Sequence, residues 1–197
     1  MKNDQELYIV KYTGPFGFIK PWTAVRDAET FSQQFLTPSI LAGIERKLFP
    51  EFVSAPSGIF KIKGYRLSYS GLSMQQEQTQ PRGWNKNKND LIRSYSILAR
   101  GVMLDPILYL AFSSLEDAQV AAEQHICLCR NEDILLPEEQ VQLITKEQFD
   151  EPPYDGFELI FEENQYSFLV GHDRLDNAKP MYGWLKIVGN PVKIDRV

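Results

Sequence analysis

Twenty consecutive residues, LSMQQEQTQPRGWNKNKNDL at 72–91, contain almost nothing that builds a core. They stand between two stretches that read as strands, GIFKIKGYRLSY at 58–69 and SYSILARGVM at 94–103. The run is too polar to pack and too long for a tight turn. A fold that keeps both strands must send it out of the body, and a β-hairpin over residues 71–93 is the form expected. The same composition also suits a solvated surface loop.

The elements around it follow from periodicity and punctuation. LYIVKY at 7–12 reads as a strand, which Gly14-Pro15 ends by opening a long loop containing Trp22, Arg26 and Phe31. Thr37 is a good helix N-cap, and Pro38 suits the first helical position because its missing N–H costs nothing there. Ile40, Leu41, Ile44 and Leu48 then share one helix face, with Glu45, Arg46 and Lys47 expected outside, and Pro50 closes the helix. A further strand is expected at 107–112, separated from the one before it by Leu104-Asp105-Pro106. Ser113 or Ser114 caps a helix over 115–124, with Asp117 completing an acidic variant of the capping box, and 125–130 reads as another strand.

The order strand, helix, strand, strand, helix, strand is that of a ferredoxin-like (RRM-like) βαββαβ domain of the α+β class, here residues 1–132, with the projection between its two central strands. Residues 133–197 form a strand-rich extension. It has a short helix candidate at 138–149, an acidic loop at Glu151-Pro152-Pro153, and strands at 157–162, 166–171 and 182–188. Edge pairing or packing is expected to dock it on the first domain.

With 43% hydrophobic and 12% aromatic content over 197 residues, the chain can bury a real core. No apolar run approaches the ~18–20 residues that span a bilayer, and MKNDQELYIVKY is too polar for a secretory signal, so a cytoplasmic protein with no membrane partner is expected. Two cysteines, Cys127 and Cys129, provide no disulfide framework. Charge is uneven. Residues 1–115 hold 14 Lys and Arg against 9 Asp and Glu, whereas residues 116–165 hold 2 against 14. A basic first half beside an acidic belt suits an anion on one face and basic protein neighbours on another, or simply a solvated acidic surface.

From Gly64 to Gly101 the cations are Arg66, Arg82, Lys86, Lys88, Arg93 and Arg100, opposed by Glu77 and Asp90. Trp84 sits among them, with Tyr65, Tyr69 and Tyr95 on the flanking strands. Cations neutralise phosphates and aromatic faces stack unpaired bases, so a hairpin with this mixture can hook a single nucleic-acid strand. Other constellations point less far. His125, Cys127 and Cys129 would share a strand face, but C-x-C without a second pair is a weak zinc signal. His172 in GHDR lacks an evident partner for proton transfer and reads as a turn histidine beside Asp173. The glycines of YGWLKIVG at 182–189 form no phosphate loop. No signature of an ordinary metabolic enzyme is present.

Gly14-Pro15-Phe16, a basic loop, and Thr37-Pro38-Ser39 leading into Gly43-Ile44 together resemble the N-terminal strand–loop–helix of RAMP-type CRISPR proteins. The likeness is strongest to the fifth Cas family (Cas-five), whose subtype I-C branch carries a similar T-P-S-x-x-x-G-I corner, read here as TPSILAGI. That branch follows it with a strand, a basic hairpin thumb, and a strand beginning like Arg93-Ser94-Tyr95-Ser96-Ile97. The likeness covers about residues 7–130. It implies a noncatalytic subunit of a type I Cascade complex that grips the 5′ handle of the guide RNA (crRNA). Its implied protein partners are the terminal Cas-seven backbone subunit and the large, Cas-eight-type subunit. Lys20, Trp22, Arg26, Thr37, Ser39 and Arg46 in the loop and first helix, and Arg82, Trp84, Lys86, Lys88 and Arg93 in the thumb, are the implied RNA contacts. No cofactor, metal or catalytic residue is implied.

Thr37 and Pro38 then fix where the helix starts, so that its free N–H groups face a phosphate, and Gly43 lets another backbone approach; alternatively the corner only packs the helix on its sheet. The I-C branch also cleaves precursor RNA. Its motif has an aromatic ahead of the corner where this chain reads Ser32-Gln33-Gln34, and no Lys-His pair stands in the thumb. The expectation is therefore a binding subunit. The alternatives are a handle-binding subunit of a type III effector, a metal-independent endoribonuclease, and a protein-only scaffold that uses the acidic belt.

Overall fold

The computed structural model describes residues 6–21, 29–55, 58–79, 83–88, 90–92, 96–128, 130, 132–173 and 177–193. The first half contains β1 (Glu6–Thr13), β2 (Phe16–Gly17), β3 (Glu29–Phe31), α1 (Pro38–Leu48), β4 (Ile62–Ser68), β5 (Gly71–Thr79), β6 (Asn85–Asn87) and β7 (Asp90–Ile92). Then follow β8 (Ser96–Leu104), β9 (Ile107–Phe112), α2 (Leu115–Ala122), β10 (Ile126–Cys127), β11 (Ile134–Pro137), β12 (Gln142–Thr145) and α3 (Lys146–Phe149). The last of the described strands are β13 (Gly156–Ile160), β14 (Phe168–Asp173) and β15 (Lys179–Val188).

The main sheet runs β10-β11-β1-β9-β4-β13-β15-β14, all neighbours antiparallel, with β12 also on β1. β1 is buried on both faces, which explains why LYIVKY alternates only weakly. Val10 and Tyr12 face Leu41, Ile44 and Leu48 of α1 and Ala118 and Ala121 of α2. Leu7 and Ile9 face Phe149 and Tyr154 on the opposite side. Strands after residue 133 pair on both flanks of the early strands: β11 and β12 on β1, and β13 on β4 through Phe157 and Leu67.

Several expectations are corrected. Glu45 is buried, not outside; its carboxylate accepts the backbone N–H groups of Phe60, Lys61 and Ile62 at 2.8, 2.6 and 2.9 Å. The chain at 58–61 curls around that carboxylate, so the strand starts only at Ile62. Thr37 stands at the N-cap, but its hydroxyl meets Ser39 Oγ at 3.0 Å instead of a helix N–H. Residues 138–149 are not one helix. The alternating half-buried Gln142–Thr145 pairs with β1, and only Lys146–Phe149 coils, behind a capping box between Thr145 and Gln148. The strand expected over 125–130 is shortened to Ile126–Cys127, because Asp133 accepts from the Arg130 backbone and side chain and turns the chain into β11. His172 lies in β14 opposite Pro180, not in a turn.

Candidate nucleic-acid interface

The hairpin owes its length to an unbroken ladder. All nine residues of β5 pair with β8, from Gly71 opposite Leu104 to Thr79 opposite Ser96. At about 3.4 Å per residue the shaft is about 27 Å long. Its lower two thirds are held by the body. Arg100 on β8 pairs with Glu77 on β5 at 3.5 Å and lies over the Phe18 ring, which Arg130 also approaches. On the other side, β3 runs parallel to β8 and the Ser32 N–H donates to the Gly101 carbonyl at 2.7 Å.

At the far end, β6 and β7 form a small hairpin that pairs Asn85 with Ile92 and Asn87 with Asp90. Lys88 begins its turn at a φ of 53°. Trp84, Lys86 and Lys88 are exposed there, with Asp90 the acid among them. The tip thus combines two cations and an indole, the pair of chemistries that hold phosphate and base.

The expected contacts do not come together in one place. Trp84, Lys86 and Lys88 come together at the tip. Lys20 is exposed at the base, next to Ile19, whose carbonyl accepts the Gln33 N–H and whose own N–H donates to Ser32 Oγ. Ser39 is exposed on the first turn of α1, whereas Thr37 is buried. Arg46 is half-buried in the last turn of α1, about 12 Å along the axis from Pro38, so it does not join the corner. Trp22, Arg26, Arg82 and Arg93 lie outside the described residues, as do Tyr95 and Cys129.

Three further members of the basic, aromatic group are internal. Tyr65 and Tyr69 are buried. The Tyr65 hydroxyl donates to the Leu36 carbonyl at 2.9 Å and accepts from the N–H groups of Leu36 and Leu159, and burial pushes it well above the ordinary phenol range. Arg66 is buried against Glu158 and Asp150, with its guanidinium 4.5 Å from the Phe149 ring. Burial raises the Glu158 carboxyl above the usual carboxylate range, against the opposing pull of Arg66. None of these three can meet a ligand.

Gly43 is exposed and a Cβ there would touch nothing within 4 Å, so no part of the sheet presses on it. It floors an apolar groove of about 300 Å³ between α1 and the chain at 126–128. Ile40 and Leu41 both donate their N–H groups to the Thr37 carbonyl, and Pro38 has none, so the helix start has fewer outward donors than the corner promises. Among the described residues no group of three His, Cys, Asp or Glu side chains is placed to hold a metal ion. Residues to which the sequence assigned no contact stand on the shaft and beside it: Leu72, Met74 and Ile97 on β5 and β8, and Phe31 on β3, are all exposed. For Leu72 and Met74 the signal was the alternation in LSMQQEQT, which puts both on one face.

The fold is an α+β arrangement of mostly antiparallel strands, and the described chain projects a hairpin from it. It is similar to a chain of a solved CRISPR RNA-guided surveillance complex, with a TM-score of 0.53 and 10% identity over 95% of this chain and 92% of that one. No protein-family model and no curated protein matches the sequence.

Proposed function

We propose that this chain is a noncatalytic subunit of a type I (Cascade) CRISPR effector, of the Cas-five kind, that binds the 5′ handle of the guide RNA. In this role it caps the backbone, touching the terminal Cas-seven subunit and the large subunit. The observation that carries the reading is the projecting hairpin with Trp84, Lys86 and Lys88 at its tip, in a chain whose fold resembles a surveillance-complex component along almost its whole length. The order β11-β1-β9-β4, with α1 following β1 and α2 following β9, is the connectivity a ferredoxin-like βαββαβ unit requires, and it supports the same reading.

Mechanically, the shaft carries the tip on a ladder about 27 Å long whose last three residue pairs extend past β3, a reach that lets it close around one strand. Lys86 and Lys88 neutralise phosphates, and Trp84 stacks an unpaired base, worth roughly 1–3 kcal/mol. Lys20, exposed beside the strand that flanks the shaft, offers a second contact along the same RNA strand, and Ser39 on the first turn of α1 a third. Replacing Lys86 and Lys88 by Glu and Trp84 by Ala is expected to abolish co-purification of guide RNA with the particle. Unchanged RNA occupancy would contradict the role. Incubation of the isolated chain with precursor RNA in chelator tests the noncatalytic part, which specific cleavage would overturn.

A further inference from the structure

The hairpin shaft has a second surface whose chemistry differs from that of its tip. Residues 72, 74, 76 and 78 of β5 lie opposite 103, 101, 99 and 97 of β8, so all eight share one face of the ladder. β3 extends that face, because Phe31 pairs with Gly101 and its ring covers the place where a side chain at Gly101 would stand. A row Phe31–Gly101–Met74 therefore crosses three strands. Phe31, Leu72, Met74 and Ile97 are 49%, 40%, 46% and 58% exposed. From the level of Leu72 to that of Ile97 the surface extends about 20 Å. The remaining members are Gln76, Gln78 and Ala99, with Met103 buried at the root.

Charge decides what such a surface can hold. Among the described residues of this face Glu29 is the one ionisable group, exposed on β3 opposite Ala99. Its described residues include no Lys or Arg. Arg100 and Glu77 belong to the other face, where they pair with each other. A phosphate backbone laid here would meet an anion and no cation, so nucleic acid is disfavoured. Depletion of charge with enrichment in Phe and Met is instead the composition of the buried centre of a protein–protein interface.

We infer that this face docks a neighbouring protein subunit, through an apolar surface carrying a Lys or Arg opposite Glu29. The hairpin is thus divided along its length, with cations for RNA at the tip and an uncharged face for protein on the shaft. The inference rests on the proposed function only in treating the hairpin as part of an assembly.

The test uses particles purified through a tag on the full chain from the cells that encode it. With Ile97→p-benzoylphenylalanine, irradiation should join the chain to a protein present stoichiometrically in the particle, in a product whose mass nuclease does not change. A cross-link to RNA, to a second copy of the chain, or to no subunit overturns the inference. Met74→Lys with Ile97→Lys gives the second readout. Both positions are exposed, so the melting temperature of the isolated chain should hold. The co-purifying protein should fall about tenfold or more, the scale of one interface hot spot. Retention of that protein, or tighter RNA binding through the new lysines, contradicts it. The two proposals separate cleanly: a particle without RNA that still cross-links to protein sinks the proposed function alone, whereas a cross-link to RNA sinks this inference alone.

Discussion

The ring of Phe31 occupies the volume that a side chain at Gly101 would need, which ties the segment leading into α1 to the hairpin shaft. Gly101→Ala should push the ring off β8 at a cost of about 1 kcal/mol, modest because Phe31 is half-exposed and can swing toward solvent. Denaturant unfolding of the variant measures the cost. An unchanged midpoint would mean that the ring does not anchor the strand.

Glu45 serves as a buried acceptor for three successive backbone N–H groups. Glu45→Ala leaves those donors without a partner, and should destabilise the chain by about 3 kcal/mol. Glu45→Gln, which keeps one acceptor oxygen, should cost less. Equal losses for the two variants would contradict this role.

Gly43 sits inside an exposed helix face with open space above it. Gly43→Ala should therefore stabilise the isolated chain by about 0.5–1 kcal/mol, because alanine loses less backbone entropy on entering a helix. A thermal melt settles the sign, and a drop would show that something does press on this position.

The Arg66–Glu158 pair predicts a pH effect. Removing the guanidinium with Arg66→Met leaves Glu158 subject to burial without its main opposing pull. The variant should lose about 3–5 kcal/mol near neutral pH. Its folded-state carboxyl pKa then stands further above the unfolded value, so the native state binds more protons between the two. Stability is highest below the unfolded pKa and falls as pH rises through the folded one. Unfolding curves at pH 5 and pH 8 check the direction: the variant should lose more stability than the parent over that interval. Adding Glu158→Gln should recover much of the loss at pH 8.

The parts of the fold legible in the sequence were those whose signal is local. The run at 72–91 announced a projection because it lacked core residues, and α1 and α2 announced themselves through spacing, Pro38 and Ser114. What stayed hidden depends on distant partners. Arg66 reads as one more cation of a basic hairpin, since Glu158 lies 92 residues further on. Glu45 reads as the solvent side of a helix until the loop at 60–62 wraps over it. Gln142–Thr145 reads as helix because its β propensity is expressed only on the edge of β1. At the tip, the expected hairpin already groups Trp84, Lys86 and Lys88, and the register of β6 and β7 adds that its end is a separate short ladder with Lys86 opposite Leu91.

A density map of the particle that this chain purifies with tests the central claim most directly. The proposed role requires residues 83–92 to cross a single RNA strand, with a base against the Trp84 ring and phosphates beside Lys86 and Lys88. A map that shows this tip buried in protein, with RNA running elsewhere, would contradict it.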